Sequence, residues 1–291
     1  MRAARIHEYG APHVIRIDDI PTPEPADGEV LVRVAATSLN PTEAALRSGR
    51  LAAMFPATLP ITLGWDVAGT VGGDPVIGML DGGAAAEFAT APAQRLVPAP
   101  RSVPLADAAA LPLAGMTAWQ ALAEHAGVAA GQRVLVNGAG GGIGGFAVQF
   151  ARHLGAYVLA TASDRSATTV RALGAHEVFD YRAGPPAVGE PVDAVVNCAA
   201  ISDEQAEALP RLVRAGGRVV TVATPVEPTP DVRAWHMVVR NDPGCLTTLV
   251  ALVDSGAVRP VISGRRSLAD LPELHRLCEA GRLSGKIIVT P

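Results

Sequence analysis

An apolar stretch that runs directly into a glycine-rich turn constrains the fold more than any other feature of the chain. Residues 134–152 read VLVNGAGGGIGGFAVQFAR: a strand-like run, a turn of small residues and an amphipathic helix pattern. A dinucleotide pyrophosphate needs this order, because the turn must be tight, the backbone must approach the phosphates and a helix N-terminus must present N–H groups to the anion. The segment therefore predicts a nucleotide cofactor and favours an oxidoreductase.

The glycine turn matches the dinucleotide fingerprint, with Ala139 in the position of the first glycine. Gly141 would let the backbone approach the pyrophosphate, and Gly144 would let the helix pack closely on the strand. A glycine-rich turn without a ligand is the alternative. It is less favoured, because a second strand-like segment follows about 20 residues later, as the fingerprint requires.

The end of that second strand distinguishes NAD from NADP. NAD-binding proteins place an acidic residue there for the ribose 2′-OH, whereas NADP-binding proteins offer small polar and basic groups to the 2′-phosphate. This chain has Ser163 at the expected position, followed by Asp164 and Arg165, and it offers Arg171 and Arg182 as further cations. The pattern favours NADP(H). Two alternatives stay open: a one-residue shift would bring Asp164 into the acidic position, and Arg165 could be a solvated surface charge.

Strand and helix patterns alternate after residue 133, which predicts a doubly wound parallel sheet and an α/β fold. The expected strands there are 134–137, 157–162, 177–180, 192–197, 218–223 and 236–239, and the expected helices are 143–154, 166–173, 204–213 and 243–255. The first hundred residues are rich in β pattern, with strands expected at 2–7, 14–18, 29–39, 66–71 and 85–90. Further helices are expected at 42–49, at 107–111, from Thr117 to a stop at Gly127, and at 268–280 before a last strand at 286–290.

Charge and composition exclude several classes of protein. The net charge is −4, and there is no basic stripe for nucleic acid. Three widely separated cysteines, Cys198, Cys245 and Cys278, suit a reducing cytosol better than a disulfide framework. The charged N-terminus does not resemble a signal peptide, and no apolar run of about 20 residues predicts a membrane span. We therefore expect a cytoplasmic protein without a nucleic-acid or membrane partner.

Ordered motifs along nearly the whole chain resemble the zinc-independent medium-chain dehydrogenases/reductases of the quinone oxidoreductase group. The motifs are SLNPTE at 38–43 with RSG at 47–49, LGWDVAG at 63–69, ALPLAGMTAWQ at 110–120, GQRVLVNGAGGGIG at 131–144, LGAHEVFDY at 173–181, GGRVV at 216–220 and SGKIIV at 284–289. The resemblance implies a GroES-like β-barrel domain of residues 1–112 and 260–291, with a Rossmann NADP-binding domain of residues 113–259 inserted into it. The last strand would then return to the barrel.

The resemblance also implies roles for individual residues. Asn40 would lie near the nicotinamide, and Thr117 would bond the cofactor near the nicotinamide or the phosphates; these two are the expected catalytic residues. The other implied cofactor-binding residues are Ala139, Gly141, Gly142, Ile143 and Gly144 at the pyrophosphate, Ser163, Arg165 and Tyr181 at the 2′-phosphate, Cys198, Ala199 and Ala223 along the ribose and nicotinamide, and Lys286 in the closing strand. Structural explanations stay open, since Asn40 before Pro41 suits a turn and Thr117 suits a helix N-cap.

No metal is expected. Zinc needs three or four N or S ligands, yet no cysteine precedes Cys198, and His7 and His13 are the only histidines before His125. Leu63-Gly-Trp-Asp also stands where zinc-dependent relatives carry a Gly-His-Glu type of segment. Hydride transfer without a metal requires an already electrophilic acceptor, so the sequence predicts NADPH-dependent reduction of an enone, an enal or a quinone.

The hypothesis of acceptor reduction leaves the proton donor, rival functions and the oligomeric state to be considered. Asn40 and backbone N–H groups are candidates to stabilise the developing oxygen charge of the acceptor, whereas Ala45 and Ala85 stand where relatives often carry larger side chains, which leaves no evident proton donor. An NADPH-binding sensor or structural protein without turnover, and a non-redox biosynthetic enzyme, remain as alternatives. The resemblance also implies a homodimer that pairs through an edge of the parallel sheet; the strand at 236–239 is the candidate edge, and an ordinary core strand is the alternative.

Overall fold

The computed structural model describes residues 1–56 and 58–291. By their internal contacts these residues divide into two units. The first unit comprises Met1–Leu113, Asn241–Gly256 and Pro260–Pro291, and the second comprises Ala114–Arg240 and Ala257–Arg259. None of the helices in the described part of the chain has the length and apolar character that a membrane crossing requires.

Strands occur in both units. They are β1 (Arg2–Ile6), β2 (Ile15–Asp19), β3 (Glu29–Ser38), β4 (Ile61–Thr62), β5 (Asp66–Val71), β6 (Asp74–Met79), β7 (Phe88–Pro92), β8 (Leu96–Pro98), β9 (Arg133–Asn137), β10 (Tyr157–Ala162), β11 (Glu177–Asp180), β12 (Val192–Asn197), β13 (Val213–Thr221), β14 (Arg233–His236), β15 (Ile262–Ser267) and β16 (Lys286–Thr290). The α-helices are α1 (Pro41–Arg47), α2 (Leu105–Ala108), α3 (Pro112–Trp119), α4 (Gly142–His153), α5 (Asp164–Ala172), α6 (Asp203–Ala208), α7 (Pro243–Asp254) and α8 (Leu271–Glu279).

The first unit is built on two sheets. One has the order β2-β1-β4, and the other has the order β15-β16-β3-β5-β6-β8 with β7 also paired to β3. A two-residue turn joins β5 to β6, where Gly72 and Gly73 have φ values of 59° and 104°. Positive φ at both central positions is what a tight type I′ hairpin requires. The C-terminal strand β16 pairs antiparallel with β3, which confirms that the last strand returns to the N-terminal sheet.

The second unit contains a parallel sheet of order β11-β10-β9-β12-β13-β14. Counted from β9, this is the order 3-2-1-4-5-6 of a doubly wound dinucleotide-binding sheet. Its central strands are apolar on both faces, and Leu135, Leu159, Val195 and Val219 are fully buried, as expected for strands covered by helices on both sides. The predicted α/β fold class with a doubly wound parallel sheet is confirmed.

Several predicted boundaries are wrong. The helix expected to start at Thr117 begins at Pro112 as α3 and continues through a π-helical turn, Gln120–Ala126, to Gly127. Proline is favoured in the first helical turn because its missing N–H would be unpaired there. Thr117 therefore lies inside the helix and is not its N-cap. The strand expected at 236–239 is β14, which ends at His236.

Three other elements have different bounds from those expected, and a nearby proline accounts for two of them. The helix expected at 204–213 stops as α6 at Ala208, before Pro210, and Val213 already belongs to β13. The helix expected at 107–111 is α2, which follows Pro104. The strand expected at 85–90 is β7, three residues later.

Helix α7 belongs to the first unit, although the resemblance placed it in the nucleotide-binding domain. The hydrogen bonds of the first unit explain this. The carboxylate of Asp254, the last residue of α7, accepts from the N–H groups of Arg101 and Ser102 at 2.8 and 2.9 Å. Ahead of the helix, Asn241 Nδ2 donates to Met79 O at 2.7 Å.

Candidate functional site

The glycine turn of the second unit is packed as tightly as a dinucleotide site requires. It follows β9 at once, and Gly138 takes φ +84°, a conformation that L side chains rarely adopt. A Cβ on Gly144 would lie 2.2 Å from Gly138 O and 2.7 Å from Ala139 Cα. Because both neighbours are backbone, Gly144 allows the start of α4 to rest on the turn.

The N-terminus of α4 fits a pyrophosphate. Gly141 is the N-cap residue, and a Cβ placed on it would find nothing nearer than Gly138 O at 3.5 Å, so there is open space beside this backbone. The first bond along the helix runs from Gly145 N–H to Gly141 O, at 2.9 Å. The N–H groups of Gly142, Ile143 and Gly144 precede it and point out of the helix end, where the positive end of the helix dipole favours an anion.

A row of polar side chains at the carboxyl ends of three adjacent strands supports the turn. Thr161 Oγ1 donates to Asn137 Oδ1 at 2.6 Å and accepts from Gly138 N–H at 2.9 Å. Asn137 Nδ2 donates to Asn197 Oδ1 at 2.8 Å. The network therefore fixes the backbone at Gly138, where the turn begins. We did not predict these residues, although a polar residue near the end of each apolar strand was visible in the sequence.

The predicted residues after β12 lie beside the turn. Asn197 Nδ2 donates to Ala199 O at 3.1 Å, and Cys198 N–H donates to Asn137 O at 2.9 Å. A Cβ on Gly138 would lie 2.9 Å from Ala199 Cβ, so the two segments touch. Burial raises the pKa of the Cys198 thiol to about 12, and the thiol is therefore neutral and poorly nucleophilic. Ala223 follows β13, the next strand of the sheet.

The predicted 2′-phosphate residues gather at the ends of β10 and β11. These strands are parallel neighbours, with Ala162 opposite Asp180. Ser163 is the buried N-cap of α5, and Arg165 lies in the first turn of that helix, whereas Tyr181 is exposed beyond β11. Arg182 lies between two carboxylates, 2.9 Å from Asp164 and 3.2 Å from Asp180. Asp164 is thus engaged in an ion pair.

In the first unit, Asn40 and Lys286 belong to one buried cluster. Lys286 Nζ donates to Asn40 Oδ1 at 2.7 Å and to Leu39 O at 3.2 Å. The amide of Asn40 carries two protons and faces three acceptors: Asp66 Oδ2 at 2.8 Å, Ser38 O at 3.1 Å and Glu43 Oε1 at 3.2 Å. Every polar group of the Asn40 side chain is therefore engaged within the cluster. Its predicted place beside the nicotinamide stays a prediction.

Asp66 is the anionic centre of this cluster. It is fully buried and accepts from Ser38 Oγ, from Asn40 Nδ2 and from Leu113 N–H, the last at 2.7 Å. Lys286 Nζ lies 3.5 Å from Asp66 Oδ2. Burial lowers the pKa of Lys286, while the nearby carboxylates oppose that shift. We did not predict Asp66 or Glu43, since the cluster joins residues far apart in the chain.

The Glu43 carboxyl is also buried in this cluster, and it accepts a hydrogen bond from Asn40 Nδ2 at 3.2 Å. Desolvation, followed by repulsion from Asp66, raises the Glu43 pKa to about 8. The carboxyl is therefore mainly protonated at neutral pH. The cluster then combines one cation, one anion and one neutral acid, which keeps the charge inside the first unit near balance.

Stability should fall with pH because of Glu43. A carboxyl whose pKa is raised in the folded state holds a proton that the unfolded chain has released, so its stabilising contribution is present below about pH 4.5 and is lost as the pH rises through about 8. Between pH 6.5 and 8 the free energy of unfolding of the wild type, measured relative to Glu43→Gln, should fall by up to about 1.4 kcal/mol per pH unit.

Urea unfolding of both proteins at half-unit pH steps measures this difference. His275, whose pKa burial and Arg47 lower to about 4, acts in the opposite direction below pH 6.5, but it is present in both proteins and cancels in the difference. A pH-independent difference would show that Glu43 is ionised in the folded protein.

The cluster does not fit a zinc ion. The groups of the cluster that could coordinate a metal are a carboxylate, an amide, a hydroxyl and a carboxyl. The Lys286 ammonium lies among them and is hydrogen-bonded to Asn40. Zinc prefers imidazole and thiolate ligands, and a cation in the same space would repel the metal. Over residues 1–56 and 58–291, no three His, Cys, Asp or Glu side chains are grouped so as to hold a metal ion.

Comparison with known proteins agrees with this geometry. Residues 26–101 match the family described as the alcohol dehydrogenase GroES-like domain, and residues 173–289 match the family described as zinc-binding dehydrogenase. The chain is 33% identical to a chloroplast envelope quinone oxidoreductase homolog of Arabidopsis thaliana over 336 aligned positions, which cover 100% of the chain and 98% of the relative. It is 29% identical to an NADPH-dependent alkenal/one oxidoreductase of the same plant, covering 100% and 80%.

Among solved structures, the quinone oxidoreductase from Coxiella burnetii superposes with a TM-score of 0.90 at 30% identity, and the match covers 100% of this chain and 99% of that one. The GroES-like domain and the doubly wound sheet expected from the sequence motifs are thus both confirmed. The chain belongs to the quinone oxidoreductase-like group of the medium-chain dehydrogenases/reductases.

Proposed function

We propose that this protein is an oxidoreductase that uses NADPH to reduce a quinone or an α,β-unsaturated carbonyl compound. The observation that carries the proposal is the glycine turn, whose open N-terminal helix end fits a pyrophosphate. Similarity over the full chain to a quinone oxidoreductase homolog and to an alkenal/one oxidoreductase supports the acceptor class. When bound, NADPH supplies a hydride, and a proton from solvent completes the addition of two hydrogen atoms to the acceptor.

The protein's own residues would bind and orient the two reactants. The N–H groups of Gly142 and Ile143 would hold the pyrophosphate, and the network around Thr161 would keep the turn in shape. Cys198, Ala199 and Ala223 would border the cofactor where their strands end. We keep Asn40, Thr117 and Lys286 as proposed residues near the nicotinamide, with Asn40 and Lys286 acting as one rigid group.

NADPH is the proposed cofactor because three polar groups gather where a 2′-phosphate would lie. Ser163 offers a hydroxyl, Arg165 a cation beside it, and Tyr181 a ring and hydroxyl at the end of the neighbouring strand. Arg182 adds a second cation and neutralises Asp164, whose carboxylate would otherwise repel the phosphate. The NADPH dependence of the alkenal/one oxidoreductase supports the same choice.

Replacing Arg182 with alanine should weaken NADPH binding about tenfold and leave NADH binding within about twofold. The variant loses a cation and exposes the charge of Asp164 to the 2′-phosphate, a loss of about 1.4 kcal/mol for a half-exposed ion pair. Calorimetric titration of wild type and variant with NADPH and with NADH measures the change in affinity for each cofactor. Arg171→Ala is the matched control: the sequence also offered Arg171 as a cation, but it is exposed in the last turn of α5, at the other end of the helix from Ser163. Equal losses for NADPH and NADH would assign Arg182 to the fold rather than to the phosphate.

The proposed activity is tested by titrating the cofactor-free protein with NADPH and NADH, and then by mixing the loaded protein with a panel of enones, enals and quinones. NADPH consumption with saturated or hydroquinone products is the expected result. Tight NADPH binding without turnover of any acceptor would favour a sensor. Product formation in the absence of cofactor would favour a non-redox enzyme.

We also propose a homodimer formed through the β14 edge of the parallel sheet. Among residues 1–56 and 58–291, β14 has a partner strand on one side only. Trp235 in β14 is 37% exposed, and Val238 just after it is 64% exposed. Met237, within the strand expected at 236–239, is buried. Sedimentation equilibrium should give twice the chain mass for the wild type and a single chain for Val238→Glu.

A further inference from the structure

Trp65 carries one of several buried polar atoms of the first unit that have no hydrogen-bond partner among the described residues. Trp65 is only 7% exposed, and its indole Nε1 has no hydrogen-bond partner among the residues that the structure describes. An unpaired buried N–H group destabilises the fold, and buried polar groups in folded proteins are nearly always paired. A phenylalanine or leucine would avoid this cost, so the indole N–H calls for an explanation.

The main chain on both sides of Trp65 is fixed. Gly64 has φ +97°, and a Cβ there would lie 2.3 Å from Ala85 N. Gly64 O accepts from Ala84 N–H at 3.2 Å, and Trp65 O accepts from Leu80 N–H at 2.7 Å. Asp66, the next residue, is anchored in the charged cluster. The backbone that carries the indole is therefore fixed at Trp65 and at both of its neighbours.

The surroundings of the indole suit a flat, conjugated molecule. The Phe55 ring packs on Trp65 with a centroid distance of 5.3 Å and an interplanar angle of 58°. Met54, in the same segment, is 60% exposed. In the cluster that Asp66, the residue after Trp65, joins, both amide protons of Asn40 already face acceptors. The indole N–H is thus an unpaired donor whose ring packs against the Phe55 ring.

We propose that Trp65 Nε1–H donates a hydrogen bond to the carbonyl oxygen of the acceptor. The inference rests on the proposed function, and it names the residue that stabilises oxygen charge during reduction. When hydride adds to the β-carbon of an enone, the C=C electron pair shifts toward the carbonyl and negative charge develops on its oxygen. A neutral donor placed there bonds this oxygen more strongly in the transition state than in the ground state. The enolate then takes a proton from solvent at the α-carbon.

Direct observation of the indole proton tests the inference without relying on turnover. The chain has three tryptophans, so the ¹⁵N–¹H spectrum of the NADP⁺-loaded protein should contain three indole signals, and Trp65→Phe identifies one of them. Titration with 2-cyclohexen-1-one should move the Trp65 proton downfield and leave the Trp119 and Trp235 protons unchanged. Cyclohexene, which lacks the carbonyl, is the matched probe. A Trp65 signal that stays still at saturating ketone, or that moves equally with cyclohexene, would overturn the proposal.

Kinetics of Trp65→Phe give the second measurement. Loss of one donor to a developing oxyanion should lower kcat/KM for the enone about 100-fold, with unchanged NADPH affinity. The melting temperature should not fall, because the variant removes an unpaired group. Trp119→Phe is the control, since Trp119 packs on Phe150 at 5.3 Å in the second unit.

The two measurements separate this inference from the proposed function. A wild-type protein that reduces no acceptor, yet shows the carbonyl-dependent shift, would contradict the proposed function and support the hydrogen bond. Reduction of enones at the same rate by wild type and Trp65→Phe would contradict the role of Trp65 and leave the proposed function intact. A lower melting temperature with unchanged kcat/KM would show that the indole N–H has a structural partner, and would likewise overturn the inference.

Discussion

Replacing Gly144 with alanine should lower the melting temperature by about 5–10 °C and weaken NADPH binding about 100-fold. The added Cβ would meet two backbone atoms, Gly138 O at 2.2 Å and Ala139 Cα at 2.7 Å, so α4 must move away from the turn. Overpacking of this kind costs about 1–3 kcal/mol, which corresponds to several degrees in a domain of this size. A shift of the helix N-terminus by a fraction of an ångström also displaces the N–H groups that would hold the pyrophosphate.

Gly141→Ala is the matched control within the same turn. Its Cβ has no neighbour closer than 3.5 Å, and the backbone at Gly141 has φ −86°, which alanine adopts freely. The melting temperature should stay within about 1 °C of the wild type, while NADPH binding weakens because the methyl group fills space that the pyrophosphate needs. Calorimetry and fluorescence titration measure both quantities. Normal NADPH binding by Gly141→Ala would place the phosphates elsewhere.

Elements with strong local signals were predicted from the sequence alone. The bounds of β10, β11, β12 and β16 match the prediction residue for residue. Each has apolar residues at its centre and is bounded by turn residues. The glycine turn has the expected strand before it and the expected helix after it. In these segments local pattern and tertiary packing require the same conformation.

Elements whose conformation depends on partners were missed. β15 reads ISGRRS, a polar segment with a glycine, and it is a strand because it pairs with β16. β6 contains a proline and a glycine yet pairs with β5 along its full length. The predicted start of α3 was five residues too late, because Thr117 resembles an N-cap residue whereas the helix already begins at Pro112. Pairing across the sheet outweighed weak local propensity in the two strands.

The residues of the candidate site also fall into those that the sequence predicts and those that it does not. Glycines and strand ends reveal the nucleotide-binding residues, because those residues are contiguous in sequence. The charged cluster of the first unit could not be assembled, since Lys286 and Asn40 are 246 residues apart and their contact depends on β16 pairing with β3. The unpaired indole of Trp65 has no sequence signal at all, because only the packed fold shows which donors lack acceptors.

Removing the ammonium group of Lys286 should have the largest effect on stability. Lys286→Met should lower the free energy of unfolding by about 3–5 kcal/mol, because Asp66 would remain buried without its cation and Asn40 would lose a donor. Urea unfolding at pH 7 measures the change. Arg276→Met is the matched control. Its ion pair with Glu273 is exposed on both sides, so the cost should be at most about 0.5 kcal/mol.

A double-mutant cycle decides whether the loss of stability in Lys286→Met comes from the unpaired charge of Asp66. Asp66→Asn alone leaves the Lys286 cation buried, whereas the double variant removes both charges. The double variant should therefore be more stable than the sum of the single effects predicts, by about 1–3 kcal/mol. Additive effects would show that the two groups contribute through packing alone. Because Lys286 lowers the pKa of Glu43, Lys286→Met should also shift the pH-dependent loss of stability to higher pH, and Lys286→Met/Glu43→Gln should lack that dependence.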